Sequence, residues 1–311
     1  MNNYKLLPAL ASLLETKNLT ESAKQLNVTQ SAMSKTLNQI REAFGDAILV
    51  RQANQFVLTS RAEQLKVQLP DLMRQLDGLY LAKTLDLATS TRCFHFASSD
   101  YVAQVEFPLI GEQVFAQAPN ASVEYHVWQK ELLLQLADSP IDIASTIADE
   151  IPENLYGKMI AKDEHVCVIR KQHPLANRQW QLEDYVGAKH ILVTGGGDKD
   201  SVVDNALAKM NLKRDIFARM PFFQGAIELL KSTDVVLTTP LHIAAEFARD
   251  YQLQLHPLPL SIKAHDYYLL WHAKHHLDVE HQWFRELCIK VLSKTLNDSI
   301  ERGMKLIHSN K

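Results

Sequence analysis

β-prone runs and helical patterns alternate from Cys93 almost to the end of the chain, and this alternation constrains the fold more than any other feature. The β-prone runs read CFHFASS, SVEYHVW, DIASTI, HVCVIR, HILVT, VVLTT and YYLLWH. Helical patterns lie between them at Phe107–Ala116, Lys130–Ala137, Val202–Met210 and Gly225–Lys231. Because strands that alternate with helices are joined by crossover connections, the pattern predicts an α/β fold with parallel sheets. Residues 92–300 are long enough to form two Rossmann-like lobes.

The first 60 residues show a different pattern, with three short helices in succession. A leucine stripe marks the first helix, formed by Leu6, Leu7, Leu10, Leu13 and Leu14. Thr20 is predicted to cap a second helix, and Asn27 and Val28 form a tight turn after it. Thr29 can cap a third helix that runs to about Phe44. Two short helices joined by so tight a turn predict a helix-turn-helix at residues 19–38.

The third predicted helix has an apolar face and a polar face. The polar face carries candidate contacts for base edges and phosphates, which are Thr29, Gln30, Ser31, Ser34, Lys35 and Asn38. A helix that enters the major groove of DNA needs such a face, without bulky side chains near its N-terminus. Residues 1–66 hold eight Lys and Arg against five Asp and Glu, a net charge of +3, which leaves −6 for the remainder. Many polar helix faces are only solvated, but the cap, the turn and the charge agree here and favour DNA binding.

A predicted β-hairpin follows the third helix. The segment AILVRQANQFVLTS contains two β-prone runs, Ile48–Arg51 and Gln55–Leu58, around a polar turn at Ala53 and Asn54. Arg51 ends the first run, where its guanidinium can reach a phosphate or the minor groove. The sequence therefore predicts an N-terminal, mainly α-helical winged helix-turn-helix domain over residues 1–60.

Residues 61–91 are predicted to form a linker helix, a dimerisation element and a hinge. Leucines recur four and three residues apart, the spacing of a coiled-coil seam, at Leu65, Leu69, Leu72, Leu76 and Leu79. A single exposed helix cannot bury such a seam, so the pattern predicts at least a homodimer. Pro70 lies inside the seam and predicts a kink or a division into two shorter helices.

Composition excludes several classes of protein. Apolar residues make up 46% of the chain and charged residues 22%, which is typical of a folded globular protein. The sequence contains no uninterrupted apolar run of eighteen residues, so we expect a cytoplasmic protein with no membrane partner. Cys93, Cys167 and Cys288 have none of the paired spacings of metal or disulfide sites and are predicted to be buried thiols. Neither a metal nor a cofactor is predicted.

The N-terminal motifs resemble the head of LysR-type transcriptional regulators. The resemblance rests on LTESAKQL, on VTQSAMSK at the turn and recognition start, on ILVR in the wing and on LT closing it. It extends into the body through SDYVA, PIDIA, RKQHPLA, LEDY and LLWHAKH, which are similar to the branch that contains nodulation-gene activators and aromatic-compound sensors. The chain departs from the family pattern at Ser31 (usually proline), Lys35 (usually arginine) and Ile40-Arg41 (usually leucine-glutamate). The third departure is interpreted as an altered surface charge.

The resemblance implies a dimer or tetramer that binds interrupted palindromes in double-stranded DNA and responds to a small, aromatic or carboxylic effector. It also leaves RNA polymerase open as a further partner. The effector would enter a cleft between two lobes like those of periplasmic binding proteins, within an effector domain at 92–300. Lobe I would comprise about 92–163 and 266–300, and lobe II about 164–265. Carried over position by position, the resemblance assigns ten residues to the cleft: Ser98, Ser99, Asp100, Trp128, Gln129, Thr146, His190, Val193, Thr194 and Phe222.

Several alternatives stay open at this point. Each Ser, Asp or Thr of the cleft set can equally be a capping or turn residue, since these types are enriched at strand and helix ends. The loop VTGGGDKDS lacks the ending of a phosphate-binding loop, and the histidines of WHAKHHLDVEH are interpreted as surface residues. The sequence shows no nucleophile and base constellation, so an enzyme is not expected. The remaining alternative is a cytosolic small-molecule-binding protein without a DNA role.

Overall fold

A computed structural model describes residues 3–53, 55–80, 84–129, 131–148, 150–194 and 202–309. The chain divides into two compact units, Met1–Lys83 and Thr84–Lys311, which we call the head and the body. The head contains four helices and one hairpin in its described residues, after a single 3-10 turn at Tyr4–Leu6. These elements are α1 Leu7–Thr16, α2 Leu19–Gln25, α3 Gln30–Phe44, β1 Leu49–Gln52, β2 Gln55–Leu58 and α4 Ser60–Gly78.

Local capping explains where the helices of the head begin and end. The Thr29 side chain accepts a hydrogen bond from the Ala32 N–H at 3.2 Å, which confirms the predicted cap of α3. Gly45, at a φ of +62°, ends that helix in the left-handed conformation that glycine tolerates. The predicted cap at Thr20 is wrong, because Asn18 Oδ1 accepts from the Thr20 and Glu21 N–H groups instead. Both residue types cap helices well, and the sequence alone did not separate them.

The linker helix α4 is continuous across Pro70, so the predicted division into two shorter helices is wrong. Pro70 is exposed, as is Lys66, so the carbonyl that loses its helical partner lies on the solvent side. The leucine seam divides into two parts. Leu65 and Leu69 are buried in the core of the head, whereas three leucines are exposed, namely Leu72 (52%), Leu76 (37%) and Leu79 (79%).

The body begins with β3 and ends with a long helix, and its described residues also contain a 3-10 turn at Ala273–His275. Its elements are β3 Cys93–Ser98, α5 Asp100–Val105, α6 Phe107–Gln117, β4 Ser122–Val127, α7 Leu132–Gln135, β5 Ile143–Ile147, β6 Leu155–Asp163, β7 His165–Arg170, α8 Leu182–Gly187, β8 Lys189–Val193, α9 Val202–Ala208, β9 Asp215–Met220, α10 Phe223–Ser232, β10 Val235–Pro240, α11 Leu241–Asp250, β11 Leu253–Pro257, β12 His265–His272 and α12 Val279–Ser309.

Two five-stranded sheets define two lobes, which confirms the predicted α/β architecture. Sheet I has the order β4-β3-β5-β12-β6 and sheet II the order β11-β7-β10-β8-β9. In sheet I, β3 runs parallel to β4 and β5, while β12 is antiparallel to β5 and β6. In sheet II, β8 runs parallel to β9 and β10, while β7 is antiparallel to β10 and β11. Both sheets are therefore mixed: each contains the predicted parallel pairs together with antiparallel pairs that the strand-helix alternation did not predict.

Several elements of the body differ from what the sequence patterns predicted. Strands β6, β9 and β11 were not recognised, and the helix expected over Lys130–Ala137 is only the single turn α7. Strand β9 alternates exposed and half-buried residues, so no continuous apolar run marks it. Helix α12 extends to Ser309, past the predicted end of the domain at residue 300.

Helix α12 packs against both lobes. It contacts α6 and β6 on one side and α11 and β11 on the other. Phe284 stacks on Phe94 with ring centroids 4.5 Å apart. At the crossing with α11, a Cβ atom added to Gly303 would overlap the Leu241 side chain, so the close approach of the two helices requires glycine there.

The cysteines differ in exposure. Cys167 and Cys288 are buried, as predicted, but Cys93 is only half-buried, and the prediction is wrong for it. Within the described ranges, none of the helices combines the length and apolar content that crossing a lipid bilayer requires.

Candidate functional site

Helix α3 presents a polar surface on the head. Met33, Leu37 and Ile40 fix the opposite side of the helix in the core. All the predicted contact residues are exposed: Thr29, Gln30, Ser31, Ser34, Lys35 and Asn38. The hydroxyls of Thr29 and Ser31 lie 3.0 Å apart, so these two side chains share a hydrogen bond. The structure thus brings the predicted residues together at and after the N-terminus of one helix.

Arg41 joins α3 to the hairpin. Its Nε donates to the Ala47 carbonyl at 2.9 Å, and one of its terminal nitrogens donates to the Leu49 carbonyl at 2.9 Å. The other terminal nitrogen donates to Asn38 Oδ1 at 3.4 Å. The interpretation of Arg41 as an altered surface charge is therefore wrong: the side chain is half-buried and holds the hairpin against the helix. Arg51 lies exposed on β1, opposite Phe56.

Asp46 and Thr59 close the base of the hairpin. Asp46 Oδ1 accepts hydrogen bonds from the Thr59 hydroxyl and the Ile48 N–H, both at 2.6 Å. These two bonds, in that order of importance, lower the pKa of Asp46 below its ordinary value. Ile48 is buried with a φ of +59°, a left-handed conformation that is costly for a β-branched residue. Apart from the threonine itself, no sequence pattern indicates this arrangement.

The body contains a cavity of about 80 Å³ between its two sheets. It lies at the carboxyl ends of β3, β4, β5 and β8, the edge at which α/β sheets commonly bind ligands. By the same measure one water molecule needs on the order of 10–15 Å³, so the space suits a compact ligand. Five of the ten predicted cleft residues line it, which are Ser98, Ser99, Trp128, Thr146 and Val193.

The other five predicted residues lie outside this lining. Asp100 is buried and accepts a hydrogen bond from the Phe223 N–H at 3.1 Å. Gln129 is exposed, and the Thr194 hydroxyl donates to the Met220 carbonyl. Phe222 is exposed, and the neighbouring Phe223 lines the cavity in its place.

His190 is the clearest correction in the cleft. It lies near the beginning of β8, whereas the cavity touches Leu192 and Val193 at the end of that strand. Its ring is fully buried and its Nε2 lies 2.7 Å from the Tyr185 carbonyl. Burial lowers the pKa of His190 to about 4, so the ring is neutral at pH 7. The residue supports the core of lobe II.

Three histidines that the sequence did not single out line the cavity, namely His165, His242 and His265. The rings of His165 and His265 meet edge to face at 4.5 Å. Burial, helped by the neighbouring His265, lowers the pKa of His165 to about 4, so this ring is also neutral at pH 7. His242 Nδ1 lies 2.6 Å from Asp163 Oδ2, which fixes its ring. These residues come from β7, α11 and β12, so no local motif unites them.

Polar atoms without a partner point to what the cavity can bind. Three buried atoms have no hydrogen-bond partner in the described part of the chain, namely Trp128 Nε1, His165 Nδ1 and Thr239 Oγ1. The indole nitrogen can only donate, and the hydroxyl can donate or accept. A buried group left unpaired costs free energy, so a ligand that accepts hydrogen bonds would relieve that cost.

The one arginine among the described lining residues is already paired. Arg214 donates to both carboxylate oxygens of Asp204, at 2.7 and 3.1 Å, and to the Tyr185 hydroxyl at 3.3 Å. Burial acts to lower the pKa of Arg214, but the bonds to Asp204 outweigh it and raise the pKa above its ordinary value. The positive charge of Arg214 is therefore already paired with the Asp204 carboxylate.

The remaining motifs have other roles. His272 caps a 3-10 turn and His276 stacks on Tyr156, but His281 is fully buried and bonded to the Asp142 carbonyl. The interpretation of this group as surface histidines is therefore wrong for His281. Most of VTGGGDKDS, residues 195–201, lies outside the described residues.

Two protein-family models match this chain. A model of the LysR substrate binding domain matches residues 89–293. A second model, of the bacterial regulatory helix-turn-helix protein of the lysR family, matches residues 4–76.

Individual relatives match over nearly the whole chain. The transcriptional activator NahR of Pseudomonas putida is 26% identical, with 92% of this chain and 96% of that protein covered. Nodulation protein D 2 of Rhizobium tropici is 27% identical, with coverages of 94% and 93%. The protein PA0477 of Pseudomonas aeruginosa, whose crystal structure is described as that of a "probable transcriptional regulator", is 28% identical, with coverages of 93% and 98% and a TM-score of 0.58.

Proposed function

The chain belongs to the LysR family of transcriptional regulators, and from this premise we propose how it reads DNA, how it pairs and what it senses. The proposed reading surface consists of Gln30, Ser31, Ser34, Lys35 and Asn38 on α3. The observation that carries the proposal is that all five side chains are exposed together on one helix. Arg41 also holds the neighbouring hairpin against that helix. Hydroxyl and amide groups would contact base edges, and Lys35 a phosphate or a guanine.

Arg51 is proposed to contact the DNA backbone or the minor groove beside that helix. It is exposed on β1, and a guanidinium suits a narrow, negatively charged groove. The proposed division of roles is that α3 distinguishes sequences and Arg51 adds affinity at any sequence. Thr29 is proposed to act through its cap, by fixing the first turn of α3.

Pairing of two chains is proposed to occur along α4. Leu72, Leu76 and Leu79 remain exposed at coiled-coil spacing after Leu65 and Leu69 are buried in the head. A second copy would cover these three leucines and place two heads on one duplex, which suits an interrupted palindrome. The proposal extends to two further contacts. Two dimers would assemble into a tetramer, and the DNA-bound complex would contact RNA polymerase.

The effector is proposed to be a compact molecule with an apolar or aromatic body and a hydrogen-bond-accepting group such as a carboxylate. The unpartnered Trp128 Nε1 and Thr239 Oγ1 favour an accepting group. Apolar side chains that line the cavity favour an apolar body, among them Val193, Phe223, Ile243 and Leu292. The His165 ring is neutral at pH 7, so it adds no positive charge to the cavity.

The related proteins are transcriptional regulators, and we extend this to propose a cytoplasmic protein that is not an enzyme. The alternative, a small-molecule-binding protein without a DNA role, predicts no specific protection of DNA. Footprinting of the full chain on the region beside its own gene, at two salt concentrations, separates the two. We expect two protected half-sites on the same face of the duplex. A uniform lack of protection at low salt would overturn the regulator proposal.

A further inference from the structure

Four potential metal ligands lie on one face of sheet I, and none of them is among the residues that line the inter-lobe cavity. Cys93 and His95 alternate along β3, and Glu124 and His126 alternate along β4. The two strands pair in parallel, with His95 opposite Glu124. Because paired residues of neighbouring strands project to the same face, all four side chains lie on one side of the sheet. We propose that Cys93, His95, Glu124 and His126 form a zinc-binding site.

Three of the four ligand atoms form a compact group, and His126 lies beside two of them. One ligand atom each from Cys93, His95 and Glu124 lie within 4.8 Å of one another. His95 Nδ1 lies 3.0 Å from His126 Nε2 and 3.8 Å from a carboxylate oxygen of Glu124. His126 Nε2 lies 3.5 Å from the other oxygen. In a tetrahedral zinc site the ligand atoms stand roughly 3.3–3.8 Å apart, as zinc–nitrogen and zinc–sulfur bonds of about 2.0–2.3 Å require.

The set of donor atoms selects the metal. A thiolate, two imidazoles and a carboxylate are the donors that zinc prefers in four-coordinate protein sites. Calcium and magnesium favour oxygen donors, which only Glu124 offers here. The ion would displace the proton of the Cys93 thiol and bind neutral imidazole nitrogens.

The surroundings favour a site rather than a chance encounter of surface groups. The His95 and His126 side chains are only 22% and 24% exposed, so the strands hold their rings in place. On the other face of β3, Phe94 and Phe96 are buried, so the strand cannot rotate to separate the group. A hydrogen bond between the two imidazoles would account for their 3.0 Å separation, but not for the thiol and the carboxylate beside them.

A bound ion would cross-link β3 to β4 just before both strands reach the inter-lobe cavity. His95 precedes Ser98 by three residues and His126 precedes Trp128 by two, and both Ser98 and Trp128 line that cavity. The zinc site goes beyond the proposed regulatory function and does not depend on it.

Zinc titration of the untagged full chain tests the proposal. The reduced protein, stripped with a chelator, is titrated in competition with a chromophoric zinc indicator. We expect one zinc per chain, and Cys93→Ser and His95→Gln should each weaken binding by about tenfold or more. His308→Gln, at an exposed residue of α12 outside the group, is the matched control and should bind zinc like the wild type.

Cobalt substitution and thermal unfolding provide two further readouts of metal binding. With them, the test does not depend on whether any single variant folds. Tetrahedral cobalt with a thiolate ligand should give an ultraviolet charge-transfer band, lost in Cys93→Ser, and strong visible d–d bands. Zinc should raise the unfolding midpoint of the wild type more than that of Cys93→Ser. Equal zinc affinity in wild type, Cys93→Ser and His95→Gln would overturn the site. Wild-type affinity in His126→Gln would overturn the assignment of the fourth ligand.

Discussion

The carboxylate of Asp100 in lobe I accepts a hydrogen bond from the backbone N–H of Phe223 in lobe II, at 3.1 Å. Phe223 is the first residue of α10, so Asp100 serves as a cap for a helix that belongs to the other lobe. Asp100 is buried, and its negative charge faces the positive end of the α10 dipole. A capping role was one of the two alternatives that the sequence left open for Asp100, but the sequence did not show that the capped helix lies across the cleft.

Removing that carboxylate should loosen the contact between the lobes. We expect Asp100→Ala to lower the free energy of unfolding by about 1 kcal/mol, the usual loss for a helix cap. Asp100→Asn keeps an oxygen that can accept the bond and should lose less. Urea unfolding followed by tryptophan fluorescence measures both variants. Equal stability of Asp100→Ala and wild type would show that the bond contributes nothing to the native state.

Arg51→Gln should weaken binding to every DNA sequence and reduce the salt dependence of binding. Loss of one phosphate contact reduces the slope of log affinity against log salt by about one. Fluorescence anisotropy on specific and random duplexes at several salt concentrations measures the slope. Ser34→Ala, on α3, should keep the wild-type slope and lose discrimination between the two duplexes. Wild-type slope in Arg51→Gln would argue against a phosphate contact.

Leu72→Lys should dissociate the proposed dimer. It places a charge among the exposed leucines of α4, where a second copy would have to bury it. Val67→Lys is the matched control, because Val67 is equally part of α4 but is 79% exposed and lies off the leucine spacing. Sedimentation velocity should show monomers for Leu72→Lys and wild-type behaviour for Val67→Lys. An intact dimer in Leu72→Lys would move the interface elsewhere.

Glu106→Gln should change how the stability of the protein depends on pH. Burial raises the pKa of Glu106 to about 8 from an ordinary value of 4.5. Between these values the unfolded chain releases a proton that the folded chain retains, so this group's contribution to stability is full below pH 4.5 and is lost as the pH rises to about 8. Glutamine has no such proton and should remove that loss.

The measurement is urea unfolding of the full chain at a series of pH values from 4.5 to 8. Glu106→Gln should differ from wild type by up to one proton per unfolding event, with its relative stability rising towards pH 8. Glu112→Gln, at an exposed residue of helix α6, which begins directly after Glu106, is the matched control. Parallel pH profiles for wild type and Glu106→Gln would mean that Glu106 ionises normally in the folded protein.

Trp128→Phe should weaken binding of the effector. The substitution removes the indole N–H, which has no partner in the described part of the chain, and keeps most of the apolar surface. A lost hydrogen bond of about 1 kcal/mol corresponds to a several-fold loss of affinity. Native mass spectrometry of the purified protein would identify retained ligand and compare its occupancy in both proteins. Trp283→Phe, whose indole donates to Gln117 outside the cavity, should retain wild-type occupancy.

The parts of the fold that local chemistry determines were predictable. Thr29 and Gly45 mark the two ends of α3 through contacts within a few residues, so the helix itself was predicted correctly. The hairpin strands were also found, because each is a short β-prone run beside a turn. Burial of Leu65 and Leu69 depends on helices far away in sequence, and spacing along α4 does not reveal it.

The candidate cleft was only half predictable for the same reason. Ser98 ends β3 and Trp128 follows β4 at the edge that borders the cavity, and the family resemblance was enough to assign both. His165, His242 and His265 converge from three elements, so their proximity is visible only in three dimensions. The choice between Phe222 and Phe223 depends on the angle at which α10 begins, which no spacing rule supplies.

Helix α12 connects the lining of the cavity to Ser309. Leu292 and Leu296 line the cavity, and the same helix continues to Ser309 past α11 and β11. A ligand in the cavity would therefore contact a helix that packs against both lobes. The last turns of α12 are accordingly where a fluorescent label would register occupancy of the cavity at a distance.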